Sequence, residues 1–105
     1  MMAIRRHKKD DDVIIRVRVP RKGEVLGEIE QLLGDRRMNV RCSDGHTRLC
    51  RIPGKQRRRI FLHEGDIVLV EKWEVQENER GDILMRYYPQ QVDWLRRRKF
   101  LENLE

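Results

Sequence analysis

The tightest constraint in this chain is Asp44-Gly45 and what flanks it. On one side Met38, Val40 and Cys42 alternate with Asn39 and Arg41; on the other, residues 46–52 resume a strand pattern. Asp-Gly supplies the positive φ that tight hairpin turns need. Strict alternation is the period of a strand with one buried face. An antiparallel pair is therefore expected over residues 38–52. Two strands alone are marginally stable, so the rest of the chain must supply strands to cover them.

It offers three more. Val25, Ile29 and Leu33 share one face of a long strand, with Glu28 and Glu30 on the other. Gly27 within that strand predicts a bend or bulge. Gly34-Asp35-Arg36-Arg37 reads as the loop to the second strand, and Pro53-Gly54 ends the third. Glu64-Gly65-Asp66 opens a fourth, Ile67 to Trp73, whose unbroken apolar run predicts burial. Glu77 to Asp82 reads as a loop and Ile83 to Tyr88 as a fifth strand. Five short strands with a polar connector between the third and fourth follow the rhythm of an OB barrel. A two-sheet sandwich calls for about seven. The connector is expected to be a short helix capping the barrel.

Outside residues 21–88, the barrel domain, lie two segments. In residues 1–20, Lys8-Lys9 abut Asp10-Asp11-Asp12, and Pro20 ends the alternation of Val13–Val19. This reads as a flexible basic arm. Residues 89–105 are rich in helix formers, and Pro89 suits a first turn. Trp94, Phe100, Leu101 and Leu104 fall within an arc of roughly 120°. Arg97 intrudes, and Val92 and Leu95 fall outside it, so the helix is expected to break in two. The stripe is expected to pack back on the barrel.

Cys42 and Cys50 read as buried thiols. No CxxC pair is present for zinc. The hairpin offsets the two by about 10–13 Å along the strands, beyond disulfide reach.

The chain of 105 residues carries 24 Lys and Arg against 18 Asp and Glu, a net charge of +6. That surplus favours a polyanionic partner, nucleic acid ahead of an anionic membrane. No apolar run reaches the ~20 residues of a membrane helix, and none follows the N-terminus in signal-peptide fashion. The expectation is a cytoplasmic monomer with no membrane contact. Catalysis finds no support. Gly54-Lys55 lacks the rest of a phosphate loop, and Cys50 has no evident base. His46 and His63 join no carboxylate constellation beyond Glu64 and Asp66 beside His63 itself. No enzyme activity, metal or cofactor is expected. A DNA reader built on the last helix would lack the second helix of a helix-turn-helix.

The order of residues from Gly23 to Glu74, above all "VRCSDGHTRLCRIPGKQRRRIFLHEGDIVLV", and the tail "QVDWLRRRKFLENLE" resemble archaeal translation initiation factor 1A. That family is the counterpart of the eukaryotic factor of that name and of bacterial initiation factor one. The resemblance runs from Arg18 onward and implies an OB barrel. It implies binding to the small ribosomal subunit at the decoding A site through 16S-type rRNA, assisting initiator tRNA and mRNA loading with other initiation factors. The long acidic C-terminal extension of the eukaryotic members is missing here.

Phosphate neutralisation by Arg and Lys dominates affinity for RNA. The candidates are Arg36 and Arg37 in the first loop, Arg41, His46 at the turn, Arg48 and Arg51 on the returning strand, and Lys55, Arg57, Arg58 and Arg59 in the connector. Strict alternation puts Arg48 and Arg51 on opposite faces. None of the aromatics Phe61, Trp73, Tyr87, Tyr88, Trp94 and Phe100 lies in the second or third strand. General single-strand binders stack bases there, so an RNA chaperone is the alternative reading rather than the first. Trp73, Trp94 and Phe100 are expected in the core or its seams.

Overall fold

The computed structural model describes residues 17–54 and 61–105. Five strands, β1 Glu24–Gly34, β2 Arg37–Cys42, β3 Thr47–Arg51, β4 Ile67–Lys72 and β5 Arg80–Arg86, precede the helix α1 Pro89–Arg97 and a 3-10 turn at Glu102–Leu104. They form a closed barrel in the order β1-β2-β3-β5-β4. Every pairing is antiparallel except β3 with β5. This is the expected five-stranded barrel with a C-terminal helix. The helical connector expected between β3 and β4 falls on residues outside those described.

The barrel is filled by Val25, Ile29, Met38, Val40, Cys42, Cys50, Val68, Val70 and Ile83. Both cysteines are free and buried. Burial pushes the Cys50 thiol up to about 12 and raises Cys42 as well, so both stay protonated and inert. A second core lies outside the barrel, where Leu26, Leu69 and Tyr87 meet Leu95, Leu101 and Leu104. The unbroken apolar run of β4 follows from this. Val68 and Val70 point into the barrel while Leu69 points out under α1.

Three expectations for β1 and the tail are corrected. The register shifts of β1 sit between Ile29 and Gln31 and between Leu32 and Gly34, not at Gly27, which is paired in register with both neighbours. Gly27 is there for space, since a Cβ would collide with the Val40 side chain, and Gly81 in β5 answers to Val70 and Cys50 in the same way. Past the first shift the alternation loses its phase, so Leu33 is 47% exposed instead of sharing the face of Val25 and Ile29. In the tail Leu95, left off the apolar stripe, is fully buried, while Phe100 is 39% exposed. The break in the helix is real and falls after Arg97. We expect Gly27→Ala and Gly81→Ala each to cost about 1–3 kcal/mol by overpacking. The reading is a lower urea midpoint at unchanged slope.

Residues 17–20, assigned to the arm on sequence, lie against the second core through Val17 and Val19. The Tyr87 hydroxyl donates to the Arg18 carbonyl, and Arg18 pairs with Glu24 at 2.7 Å.

Candidate nucleic-acid interface

The outward faces of β2 and β3 follow from parity. Met38, Val40 and Cys42 point in, so Arg37, Asn39 and Arg41 point out; Arg48 and Cys50 point in, so Thr47, Leu49 and Arg51 point out. The register sets Arg37 directly opposite Arg51, Asn39 opposite Leu49 and Arg41 opposite Thr47. Arg36 and Asp35 form the two central residues of the β1–β2 turn, with φ of 61° and 54°. Arg36 thus stands exposed next to Arg37.

The candidate residues do not all join this face. Arg36, Arg37 and Arg51 do. Arg41 is largely spent on the protein itself. Its guanidinium donates to Glu28 at 2.7 Å and to the Leu104 carbonyl at 3.0 Å, and it lies 3.5 Å from Glu30. His46 is exposed on the β2–β3 turn, its N–H donating to Asp44 Oδ1. Lys55, Arg57, Arg58 and Arg59 lie outside the described residues. Arg48 is corrected. It points inward, its side chain is 0% exposed, and it is not available to a ligand on this face. Nη1 and Nη2 donate to the two Asp44 oxygens at 2.9 and 2.8 Å, and Nε donates to the Glu77 carbonyl at 2.6 Å. This fork ties the β2–β3 turn to the β4–β5 loop. Hydrogen bonding to Arg48 holds the Asp44 carboxyl below its ordinary range.

The stretch of chain that folds this way is shared with known proteins. Residues 15–104 match the family described as Translation initiation factor 1A / IF-1, a span that takes in the barrel and the helix together. The chain is 50% identical to translation initiation factor 1A of Methanopyrus kandleri over 94 residues, covering 90% of this chain and 84% of that one. It is 48% identical to the factor of Pyrococcus abyssi over 97 residues, covering 92% and 86%. The solution structure of the bacterial translation initiation factor one from the Wolbachia endosymbiont of Brugia malayi matches with a TM-score of 0.51 at 31% identity, covering 66% of this chain and 82% of that one. The chain belongs to the translation initiation factor 1A / IF-1 family.

In this member of the initiation factor 1A family, the arginine face continues beyond β3 onto residues that sequence reasoning missed. β5 begins at Arg80, inside the stretch expected to be a loop, and Arg80 pairs with Leu49 across the parallel seam. Trp73, expected in the core or a seam, sits at the surface edge. The guanidinium of Arg51 lies 5.0 Å from its ring centre and that of Arg80 5.9 Å. Asp82 accepts from the Trp73 indole at 2.9 Å and from Arg51 at 3.1 Å. A recess of about 100 Å³ lies between Arg37, Leu49, Arg51, Trp73 and Arg80. The polar composition of residues 77–82 hid this strand start.

A second aromatic group borders the connector. Phe61 is 65% and Tyr88 57% exposed. Arg86 joins them, donating to the Phe61 carbonyl at 3.0 Å and lying 5.0 Å from the Tyr88 ring centre. Phe61 follows the basic run Arg57-Arg58-Arg59-Ile60. An exposed aromatic beside a run of arginines was the available sign.

Proposed function

We propose that the chain binds the small ribosomal subunit at the decoding A site through rRNA. There it assists initiator tRNA and mRNA loading with other initiation factors, acting as a cytoplasmic monomer. The reading rests on family membership and on one observation, the arginine pair Arg37–Arg51 set directly opposite across two strands. Like charges so placed oppose folding. Asp82 relieves Arg51, but Arg36, Arg37 and Arg80 have no carboxylate partner among the described residues. A phosphate chain supplies what the protein leaves out. Lys55, Arg57, Arg58 and Arg59 belong to the same proposal on sequence.

The test is a salt titration of binding to purified small subunits. Replacing Arg36, Arg37 and Arg80 together by Ala is expected to flatten the log-affinity against log-salt slope by about two to three units. Unchanged slope and affinity would remove this face from the interface. The exposed Phe61 and Tyr88 favour a second reading, a general single-strand binder that stacks bases. Equal affinity for single-stranded RNA and for small subunits would decide for that reading.

A further inference from the structure

The end of α1 closes with a Schellman turn. The Phe100 N–H donates to the Leu95 carbonyl at 3.0 Å and the Lys99 N–H to the Arg96 carbonyl at 3.0 Å. Such a turn brings the residue after its left-handed position back against the last helical turn. Here that residue is Phe100, whose ring stacks on Trp94 with centroids 6.2 Å apart and planes 16° from parallel. Arg98 lays its guanidinium 4.7 Å from the Trp94 ring centre. Trp94 is anchored beneath, packed against the second core. The result is a fixed surface of two aromatic rings and a guanidinium, packed through Trp94 on the core that Leu26 of β1 and Leu69 of β4 share with the tail, while the tail beyond it reaches β2 and its turn through the Arg41–Leu104 and Asn103–Ser43 hydrogen bonds.

The charges around it are uneven. Arg96 pairs with Glu105 at 2.6 Å and Arg97 with Asp93 at 2.9 Å. Arg98 and Lys99 have no carboxylate partner among the described residues. Lys99 also occupies the left-handed position, at φ 65°, where glycine is cheapest. A lysine there sets a cation next to Phe100 in the chain, at some cost to the backbone.

We infer that Arg98, Lys99, Trp94 and Phe100 form a docking surface for a short acidic protein segment that carries an aromatic or aliphatic residue. Trp and Arg in a rigid, half-desolvated cluster are the residue types on which such contacts concentrate. The charge balance selects a short segment over an RNA strand. Residues 89–105 hold four cations, Arg96, Arg97, Arg98 and Lys99, against Asp93, Glu102 and Glu105. A long phosphate chain would run onto those carboxylates, whereas two acidic side chains match the two unpaired cations. The surface shares no residue with the arginine face of Arg36, Arg37, Arg51 and Arg80, so the two can be varied independently.

The experiment uses the full chain and a short fluorescein-labelled peptide alternating Glu with Phe or Leu, read by anisotropy. A peptide with Ser in place of Phe and Leu is the composition control, and oligouridylate is the nucleic-acid arm. Arg98→Ala, Phe100→Ala and Lys99→Gly are each expected to weaken the Phe/Leu peptide about three- to tenfold. Arg37→Ala with Arg80→Ala should leave it unchanged, which separates this result from that of the RNA reading. Lys99→Gly is the decisive variant. It relieves a left-handed lysine, so the melting temperature should rise by about 2–6 °C while peptide binding falls. A role confined to folding would move both in the same direction. The inference is overturned by unchanged peptide affinity in all three variants, by equal affinity for the Ser peptide, or by a loss of oligouridylate binding that matches or exceeds the loss of peptide.

Discussion

Asp44→Ala is expected to destabilise the protein by about 2–4 kcal/mol, because it strands the enclosed charge of Arg48, tempered by the 30% exposure of the Asp44 side chain. The stranded charge is Arg48, fully enclosed and bonded by all three guanidinium nitrogens. For a domain of this size the loss corresponds to a fall of about 10–25 °C in melting temperature. Adding Arg48→Leu should recover much of it, since an apolar side chain in the enclosed Arg48 site leaves no charge unpaired. Urea unfolding of the parent, both single variants and the double variant makes the cycle. A cost for Asp44→Ala below about 1 kcal/mol, the range of exposed pairs, would contradict the enclosed clamp. The pH dependence has a definite sign. Arg48 lowers the folded pKa of Asp44, so the pair contributes fully above the unfolded carboxyl value of about 3.9. It loses that contribution as pH falls through the depressed folded value. Between neutral pH and pH about 3 the parent should therefore lose more stability than the double variant.

Leu95→Ala and Leu101→Ala are each expected to cost about 2–5 kcal/mol, the range for emptying a buried leucine site. Both side chains are fully enclosed in the core that α1 and the tail share with Leu26, Leu69 and Tyr87. Those last three belong to or directly follow the strands whose opposite faces fill the barrel. Loss of the helix should therefore propagate into the barrel, and unfolding should remain a single transition at a lower midpoint. Circular dichroism and tryptophan fluorescence followed on the same sample test this. Two separated transitions would show that the helix is an independent appendage.

Much of the barrel could be read from local rules. The alternation of β2, the Asp-Gly turn and the apolar run of β4 state their own geometry, because each depends on neighbours in sequence. The closure of β3 on β5 could not be read, since Leu49 and Arg80 meet only through the whole topology. The bulge after Ile29 reversed the phase of β1, and no residue there advertises it. Arg48 shows why charge misleads. Its parity with Cys50 already placed it inside, but an arginine counts toward a basic face until its partner is known. Asp44 is only four residues away, yet it was legible first as a turn residue. Arg80 is hidden for the opposite reason, since its polar surroundings read as a loop, and Trp73 because a tryptophan reads first as core.

The parallel seam has a further consequence. β3 and β5 are joined by only three residue pairs among the described residues, Leu49–Arg80, Cys50–Gly81 and Arg51–Asp82, whereas β2 and β3 share five. A ring is only as closed as its shortest join. While it holds, the middle of each strand is paired on both sides, so little edge is left for a neighbouring molecule to extend. Should the join part, two edges appear at once, on β3 and on β5, with Cys50 beneath them. The closing of the ring is thus borne by a short stretch that also carries the Arg51–Asp82 pair and the Trp73 contact. The same few residues that present charge outward keep the sheet from becoming a template.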